Sequence, residues 1–441
     1  MKRLTLIVCG LTAGIMQSSV QLIGSEPTNL SLAQTVAEAM KSSPRLYAQT
    51  HRANAASREA EAVSRSRYGE LNATASYGYF NDDQILRPMS RELVSGGLAT
   101  LPFDRSQAHY GLLYEVPLFL GGRLLNQVKI AGLEARKAEA IQDGTRWQIR
   151  FNAVSLYSAA QALDRVSTAL GSQMAALEQT KARLQVAVAA GKRPELDRLK
   201  LLDELESTRA QLANVEADRT RVGALLLALL GRDPAGVLVV DPMSETPAAL
   251  ELSADDLHAG WGGNTTVHVA QLEKEQADYA SKVARSAFLP RVTGSANYLE
   301  HTAFNIDRNL ETWGVSIGVV FPVFSGTADV QRLRASRARF AAAEQAVVQA
   351  KLNVAAELQE TLARLRASQA GIVAAEARVA AAAEAAQIEQ VRYDTGAGII
   401  EDLLRARARE ESAHAALATA TADRRTTAER LNTIVEKEIV K

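Results

Sequence analysis

The chain repeats itself, and any fold it adopts has to accommodate two copies of one unit. Tyr114-Glu115-Val116-Pro117-Leu118-Phe119-Leu120-Gly121-Gly122 parallels Val319-Val320-Phe321-Pro322-Val323-Phe324-Ser325-Gly326-Thr327, with the prolines 205 residues apart. The same offset relates Gly191 to Gly396 and Asp197 to Asp402, so independent landmarks agree. Upstream, segment 71–77 matches 292–298 at an offset of 221, which leaves 16 extra residues in the first half between Tyr77 and Pro117. That insertion is expected in a loop. A repeat on this scale predicts two similar units in series.

Each unit holds two segments that alternate with period two. Leu71, Ala73, Ala75, Tyr77 and Tyr79 share one face, as do Ala108, Tyr110, Leu112, Tyr114 and Val116. In the second unit Val292, Ala296 and Tyr298 alternate with polar residues, and so do Trp313, Val315, Ile317, Val319 and Phe321. The pattern predicts strands over 71–80, 108–119, 290–299 and 312–324, close to the ~9–11 residues that a tilted membrane strand needs. Loops 81–107 and 301–311 join them. A soluble sheet with one wet face gives the same alternation.

Helix follows each strand pair. No proline interrupts 123–190, where Ile149, Leu156, Leu163, Leu170, Leu177 and Leu184 recur every seven residues. Segment 328–395 repeats the period through Leu358, Leu365, Ile372, Val379, Ala386 and Tyr393, although the two ladders do not superpose under the 205-residue offset. A sustained seven-residue period imposes a left-handed supercoil. At ~1.5 Å per residue each helix is about 100 Å long, far beyond a ~30 Å bilayer core, so it projects into water. Glycine-centred turns at Gly191 and Gly396 then reverse the chain into helices over 194–231 and 399–435. Segment 232–253, with Pro234, Pro242 and Pro247 around an apolar run, links the units and has room for a small strand.

Composition narrows the function. Lys and Arg total 50 and Asp and Glu total 50, so there is no basic footprint for nucleic acid. Met1-Lys2-Arg3, an apolar run over 4–16 and a polar exit read as a secretory signal peptide over 1–25, with the mature first unit over 26–231 and the second over 254–441. Val8 precedes Cys9, which disfavours lipidation, and Cys9 is the single cysteine, so thiol chemistry is absent after it. No 18-residue apolar stretch supports a membrane-spanning helix.

Four strands cannot close a membrane barrel, and lipid does not tolerate open sheet edges, so several chains share one barrel. Two copies give eight strands and a filled interior; three give twelve and room for water. A homotrimer is expected. Pro117 with Gly121 and Gly122, and Pro322 with Gly326, mark the abrupt changes from sheet to helix.

The repeated halves, the Pro-x-Phe-x-Gly junctions, and Arg392-Tyr393-x-x-Gly396 with Asp402-Leu403-Leu404 resemble the TolC-type outer-membrane efflux protein family over nearly the whole mature chain. The resemblance implies a mainly α protein with membrane β structure: a trimeric twelve-stranded barrel in the outer membrane, continued by a coiled-coil α-helical barrel through the periplasm. It also implies docking onto a periplasmic adaptor (membrane fusion protein) and an inner-membrane transporter of resistance-nodulation-division, ABC or major-facilitator type. No cofactor or metal is implied, and the duct is passive.

Carried over by the resemblance, Asp402 matches a lumen-facing acidic position, and three copies would form a cation-attracting ring. As a residue alone it equally suits a solvated helix start. Arg405 stands where the family often has a second acid, diluting the ring or pairing with Asp402. Asp197 and Tyr393 match positions that hold the closed state, but the family's arginine partner falls at Gly398, leaving Lys192 or Arg193 to substitute. Gly191, Lys192, Gly396 and Ala397 match adaptor-docking tips. Tyr77, Tyr79, Tyr110, Tyr114, Tyr298, Trp313 and Phe321 suit an interfacial aromatic girdle, or the packing of a soluble core.

Enzyme motifs are missing. There is no His-x-x-x-His pair and no Gly-x-Ser-x-Gly elbow, and Gly396-Ala397-Gly398 follows a helix rather than a strand. The expected function is the channel of a tripartite efflux or type I secretion system. A soluble periplasmic coiled-coil scaffold or adaptor is the alternative.

Overall fold

The computed structural model describes residues 28–86, 89, 91–97, 101–243 and 263–439, so the expected signal peptide and the linker beyond 243 lie outside the described residues. Strand β1 (Thr28–Leu30) leads into α1 (Leu32–Ser42), whose Ser31 and Gln34 form a reciprocal capping box. Helix α2 (Pro44–Arg65) opens with proline in its first turn, where no amide partner is lost. Strand β2 (Glu70–Ile85), a one-turn helix α3 (Arg91–Ser95) and strand β3 (Phe103–Leu120) follow. The first long hairpin is α4 (Arg123–Ala189) and α5 (Glu195–Leu229). Strand β4 (Leu238–Val240) pairs in parallel with β1. The second unit is α6 (Thr265–Arg285), β5 (Arg291–Ala303), β6 (Arg308–Val320), α7 (Ala328–Asp394) and α8 (Ile400–Val435).

Helices α4 and α7 are each 67 residues long and start 205 residues apart. Both stop at a glycine with positive φ, Gly191 (68°) and Gly396 (82°). There Lys192 N donates to Ala187 O and Gly191 N to Val188 O, with the same pair of bonds around Gly396, satisfying carbonyls that the helix end would orphan.

The four long strands form one antiparallel sheet in the order β2-β3-β5-β6. Three expectations change here. The loop expected over 301–311 shrinks to 304–307, because backbone pairing carries β5 to Ala303 and starts β6 at Arg308. The insertion is partly strand, because β2 runs on to Ile85 and β3 begins at Phe103, with Gln84 opposite Asp104 across a register shift. Backbone pairing continues there without apolar alternation, helped by an Arg105–Asp83 ion pair of 3.1 Å, so the sequence pattern gave no sign of it. The strand expected over 312–324 ends at Val320, before Pro322, which has no amide to donate.

Register places the apolar residues on one face. Leu71, Tyr114, Ala296 and Val315 share a rung, and Ala73, Leu112, Tyr298 and Trp313 share the next. The other face carries Thr74, Gly111, Leu299 and Thr312 on one rung and Ser76, His109, His301 and Leu310 on another.

Helix packing explains why the two leucine ladders are out of step. Val354, which is Ile149 shifted by 205, is also buried, so both helices bury both seams of the heptad. On the second seam α7 uses Leu358 and Leu365 where α4 uses Ala153 and Ala160. Among the described residues α4 packs against α1, α2, α5, α6, α8 and β4, while α7 packs mainly against α6 and α8. The crowded helix needs alanine for close approach, and the freer one fills its seam with leucine. Tyr157, fully buried on α4, donates to Leu30 O and accepts from Asp241 N, which ties the β1–β4 pair to the helices.

Candidate channel wall and gate

The sheet is unfinished in a single chain. Strands β2 and β6 are its edges and are exposed on both faces almost throughout. Trp313, Val315, Ile317 and Val319 are each at least 65% exposed. Such an apolar stripe is costly in water, at roughly 25 cal/mol per Å² of area. On β5 and β6 the stripe ends at Tyr298 and Trp313, because the next rung holds Glu300 and Glu311. Tyr110 lies opposite Glu300, with Tyr77 and Tyr79 further along β2, while Tyr114 and Phe321 lie toward the helical end. All seven expected girdle aromatics are exposed.

At the helical end the chain turns sharply twice. Gly121 and Gly122 have φ of 62° and 80°, and Gly326 and Thr327 have 63° and 64°. Pro117 is not at the bend: it lies inside β3 opposite Thr293, at a register shift, whereas Pro322 follows the end of β6. In both units the left-handed pair makes the bend.

The far ends of the two hairpins meet in an apolar cluster of Leu177, Leu184, Leu201 and Leu205 with Tyr393, Ile400, Leu403 and Leu404. Arg193 crosses between them. Its Nη2 donates to Tyr393 O at 2.6 Å, its Nη1 to Gly398 O at 3.4 Å, and its guanidinium lies 4.3 Å from the Tyr393 ring centre. Of the two substitutes considered from sequence, Arg193 makes the contact while Lys192 stays exposed. The Tyr393 hydroxyl is buried and makes no hydrogen bond within the chain. Burial pushes the Tyr393 hydroxyl above its ordinary range.

Asp197 is half-buried in the first turn of α5, and Asp402 in the first turn of α8, where carboxylates suit the helix dipole. Arg405 bonds Glu401 at 2.9 Å and reaches Asp402 at 3.7 Å, so Glu401 is its nearer partner. Sequence reasoning missed the Lys200–Glu401 pair at 2.8 Å, which also joins the hairpins; Lys200 holds the Glu401 carboxyl below its usual range. Gly191, Gly396 and Ala397 are exposed at the turns.

Above the tips a groove of about 640 Å³ separates α4 from α8. Asp164, Gln173, Met243, Arg407, Glu411 and Leu417 are on its wall. Burial, and then the neighbouring Glu204 of α5, push Glu411 up to about 7. Among the described residues no helix is long and apolar enough to cross a membrane.

An edge-open antiparallel sheet with one apolar face, set on two long helical hairpins, is the architecture of the chain. The sequence matches the outer membrane efflux protein family over residues 35–232 and 262–435, and the chain belongs to that family. It is 28% identical over 208 residues to protein CyaE of Bordetella pertussis, a match covering 45% of this chain and 43% of that protein. Its fold is shared with the CmeC outer membrane channel of Campylobacter jejuni (TM-score 0.78, 15% identity, 92% of this chain and 86% of the other). The outer membrane protein VceC of Vibrio cholerae is similar too (TM-score 0.74, 20% identity, 92% and 96%). Family and fold are those of channels, not enzymes, and they displace the soluble scaffold or adaptor alternative.

Proposed function

We propose that this chain is the outer-membrane duct of a tripartite efflux or type I secretion system. Three copies close a twelve-stranded barrel in outer-membrane lipid, and their helices continue it as a periplasmic tunnel. The duct is passive, with a periplasmic adaptor docking at the Gly191–Lys192 and Gly396–Ala397 tips and an inner-membrane transporter supplying the energy. The observation that carries this reading is the sheet, whose apolar face is bare and whose two edges are unpaired.

The repeat supplies a register for the missing seam. Within the chain β3 pairs with β5, Leu112 opposite Tyr298 and Tyr114 opposite Ala296. Shifting β3 by 205 gives β6, and shifting β5 back by 221 gives β2. Ile317 of one copy therefore faces Tyr77 of the next, and Val319 faces Ala75. Both pairs are on the apolar face, as a continuous barrel wall requires.

Gating belongs to the tips. Arg193 on Tyr393, and Lys200 on Glu401, hold the two hairpins of a protomer together, and separating them widens the tunnel mouth. Asp402 and Arg405 face each other's field there and set its charge. Tyr77, Tyr79, Tyr110, Tyr114, Tyr298, Trp313 and Phe321 anchor the barrel at the lipid boundary.

The test is a cysteine pair in the mature chain, which has no thiol of its own after Cys9. Ile317→Cys with Tyr77→Cys is expected to give a disulfide-linked trimer in washed outer membranes, and Ile317→Cys with Ala73→Cys, out of register on the same face, is expected to give none. Monomers alone from the first pair would overturn the shared barrel. Val315→Lys places a charge on the lipid face at a cost of about 2–4 kcal/mol and is expected to abolish heat-modifiable trimers.

A further inference from the structure

We propose that His109 and His301 form a binding site for a divalent transition-metal ion on the polar face of the sheet. The two residues are 192 positions apart, yet β3 and β5 place them directly opposite each other. Their Nδ1 atoms are 2.7 Å apart, and their rings meet edge to face with centres at 4.9 Å. His301 Nε2 is 2.9 Å from Thr312 Oγ1.

Two imidazole nitrogens at this distance share one proton, one donating and the other accepting. Both Nδ1 atoms therefore face the same gap. With its Nε2 proton on Thr312, His301 presents an Nδ1 lone pair to that gap. Moving the His109 proton from Nδ1 to Nε2 presents a second lone pair without changing the charge of the pair. A metal ion with N bonds of ~2.0–2.1 Å then binds beside the Nδ1–Nδ1 line, once both rings turn their lone pairs to that side and the nitrogens open to about 3 Å. Thr312 acts as the outer partner that fixes the ring and its tautomer, as ligating histidines require.

The surroundings select the class of ion. On the same rung Ser76 lies opposite His109 and Leu310 opposite His301, so no carboxylate adds a hard, charged ligand there. A neutral two-imidazole site completed by water suits Zn(II), Ni(II) or Cu(II) and not Mg(II) or Ca(II). His301 is 7% exposed while His109 is half-buried, so the ion has one enclosed side and one open to water. Among the described residues no group of three or more His, Cys, Asp or Glu is placed to hold a metal, so this site is loose and exchangeable. It lies within one chain's sheet and does not depend on how many chains close the barrel.

The experiment uses the full chain purified in mild detergent without a histidine tag. Zn(II) is titrated against a chromophoric chelator, and Cu(II) is read by electron paramagnetic resonance. One Zn(II) per chain in the micromolar range is expected, with Cu(II) showing coupling to two equivalent nitrogens. His109→Asn, at the more open position, is expected to weaken Zn(II) binding at least tenfold while circular dichroism and trimer content stay unchanged. Thr312→Val is expected to weaken it several-fold by freeing the His301 tautomer. No Zn(II) bound by the wild type, affinity unchanged in His109→Asn, or Cu(II) coupled to fewer than two nitrogens would each overturn the site.

Discussion

Helices α4 and α7 have the same length, start one repeat apart and end in the same glycine turn, yet they bury different side chains. The backbone of the unit is duplicated and its neighbourhood is not. Among the described residues α1 and β4 pack on α4 and have no counterpart on α7, so α4 is enclosed where α7 is comparatively open. Equal positions then have opposite tolerances. Leu365→Ala in α7 leaves a cavity beside Leu362, Leu358 and Leu431 and is expected to cost about 2–5 kcal/mol, whereas Ala160→Leu in α4 overpacks and costs about 1–3 kcal/mol. Thermal melts followed by circular dichroism measure both. If Ala160→Leu proves neutral, crowding is not what sets the difference.

The strand-to-helix bends sharpen the same comparison, with a smaller effect. Gly121 and Gly326 share a φ near 62°, so alanine costs each about 1 kcal/mol for the left-handed backbone. At Gly121 a Cβ would also stand 2.7 Å from Leu289 Cβ and 2.9 Å from Ser286 O, while at Gly326 nothing in the chain lies within 4 Å. Gly121→Ala is therefore expected to lose about 3 kcal/mol and Gly326→Ala about 1 kcal/mol in the isolated chain. The repeat maps Leu289 onto Tyr68, so in a trimer the neighbouring copy's Tyr68 fills the empty side of Gly326. Gly326→Ala is then expected to reduce trimer content on native gels more than it lowers the melting temperature. Equal effects of the two substitutions on both readouts would break the register proposed for the barrel.

Much of this was legible in the sequence because repeats and periods survive without an alignment. The helices, their turns and the four strand cores follow from spacing and from glycine. The extension of β2 and β3 was hidden, since Gln84 and Ile85 resume the pairing through backbone groups after a register shift that leaves no hydrophobic alternation. The tip clasp was half legible: the family pattern pointed to a missing arginine, but choosing Arg193 over Lys192 needed the geometry that puts a planar guanidinium on the Tyr393 ring. The His109–His301 rung was invisible, because no local spacing joins residues brought together only by strand order.

Glu411 gives a third contrast, between the two ends of the α4–α8 groove. Its carboxyl titrates near 7, above its ordinary value, so the folded chain holds this proton more tightly than the unfolded chain does. Stability is then greatest below the ordinary carboxylate range and falls as pH rises from about 4.5 to about 7. Discounted for partial solvent screening, the deficit above pH 7 is about 1–2 kcal/mol. Glu411→Gln is expected to raise the melting temperature at pH 8 and to leave it unchanged at pH 4. A gain of equal size at both pH values would show that the carboxyl's charge is not the cause.

The smallest expected effects are at the tips, where two links of different construction join the hairpins. Arg193 is part-buried and has two carbonyls and an aromatic face to hold it, while Lys200 and Glu401 meet in solvent. An exposed ion pair contributes about 0–1 kcal/mol and is screened by salt; a cation over a ring in a partly dry site contributes up to about 2 kcal/mol and is not. Single-channel recordings in planar bilayers read the difference as open probability. Arg193→Ala is expected to raise the open fraction several-fold at every salt concentration, and Lys200→Ala only slightly and only at low salt. Arg193→Lys is expected to fall between wild type and Arg193→Ala, because an ammonium keeps the charge but cannot span two carbonyls while lying flat on the ring. Equal open fractions for Arg193→Ala and Lys200→Ala in high salt would mean that the clasp is no stronger than a surface pair, and the gate would then rest on the leucine cluster beneath it.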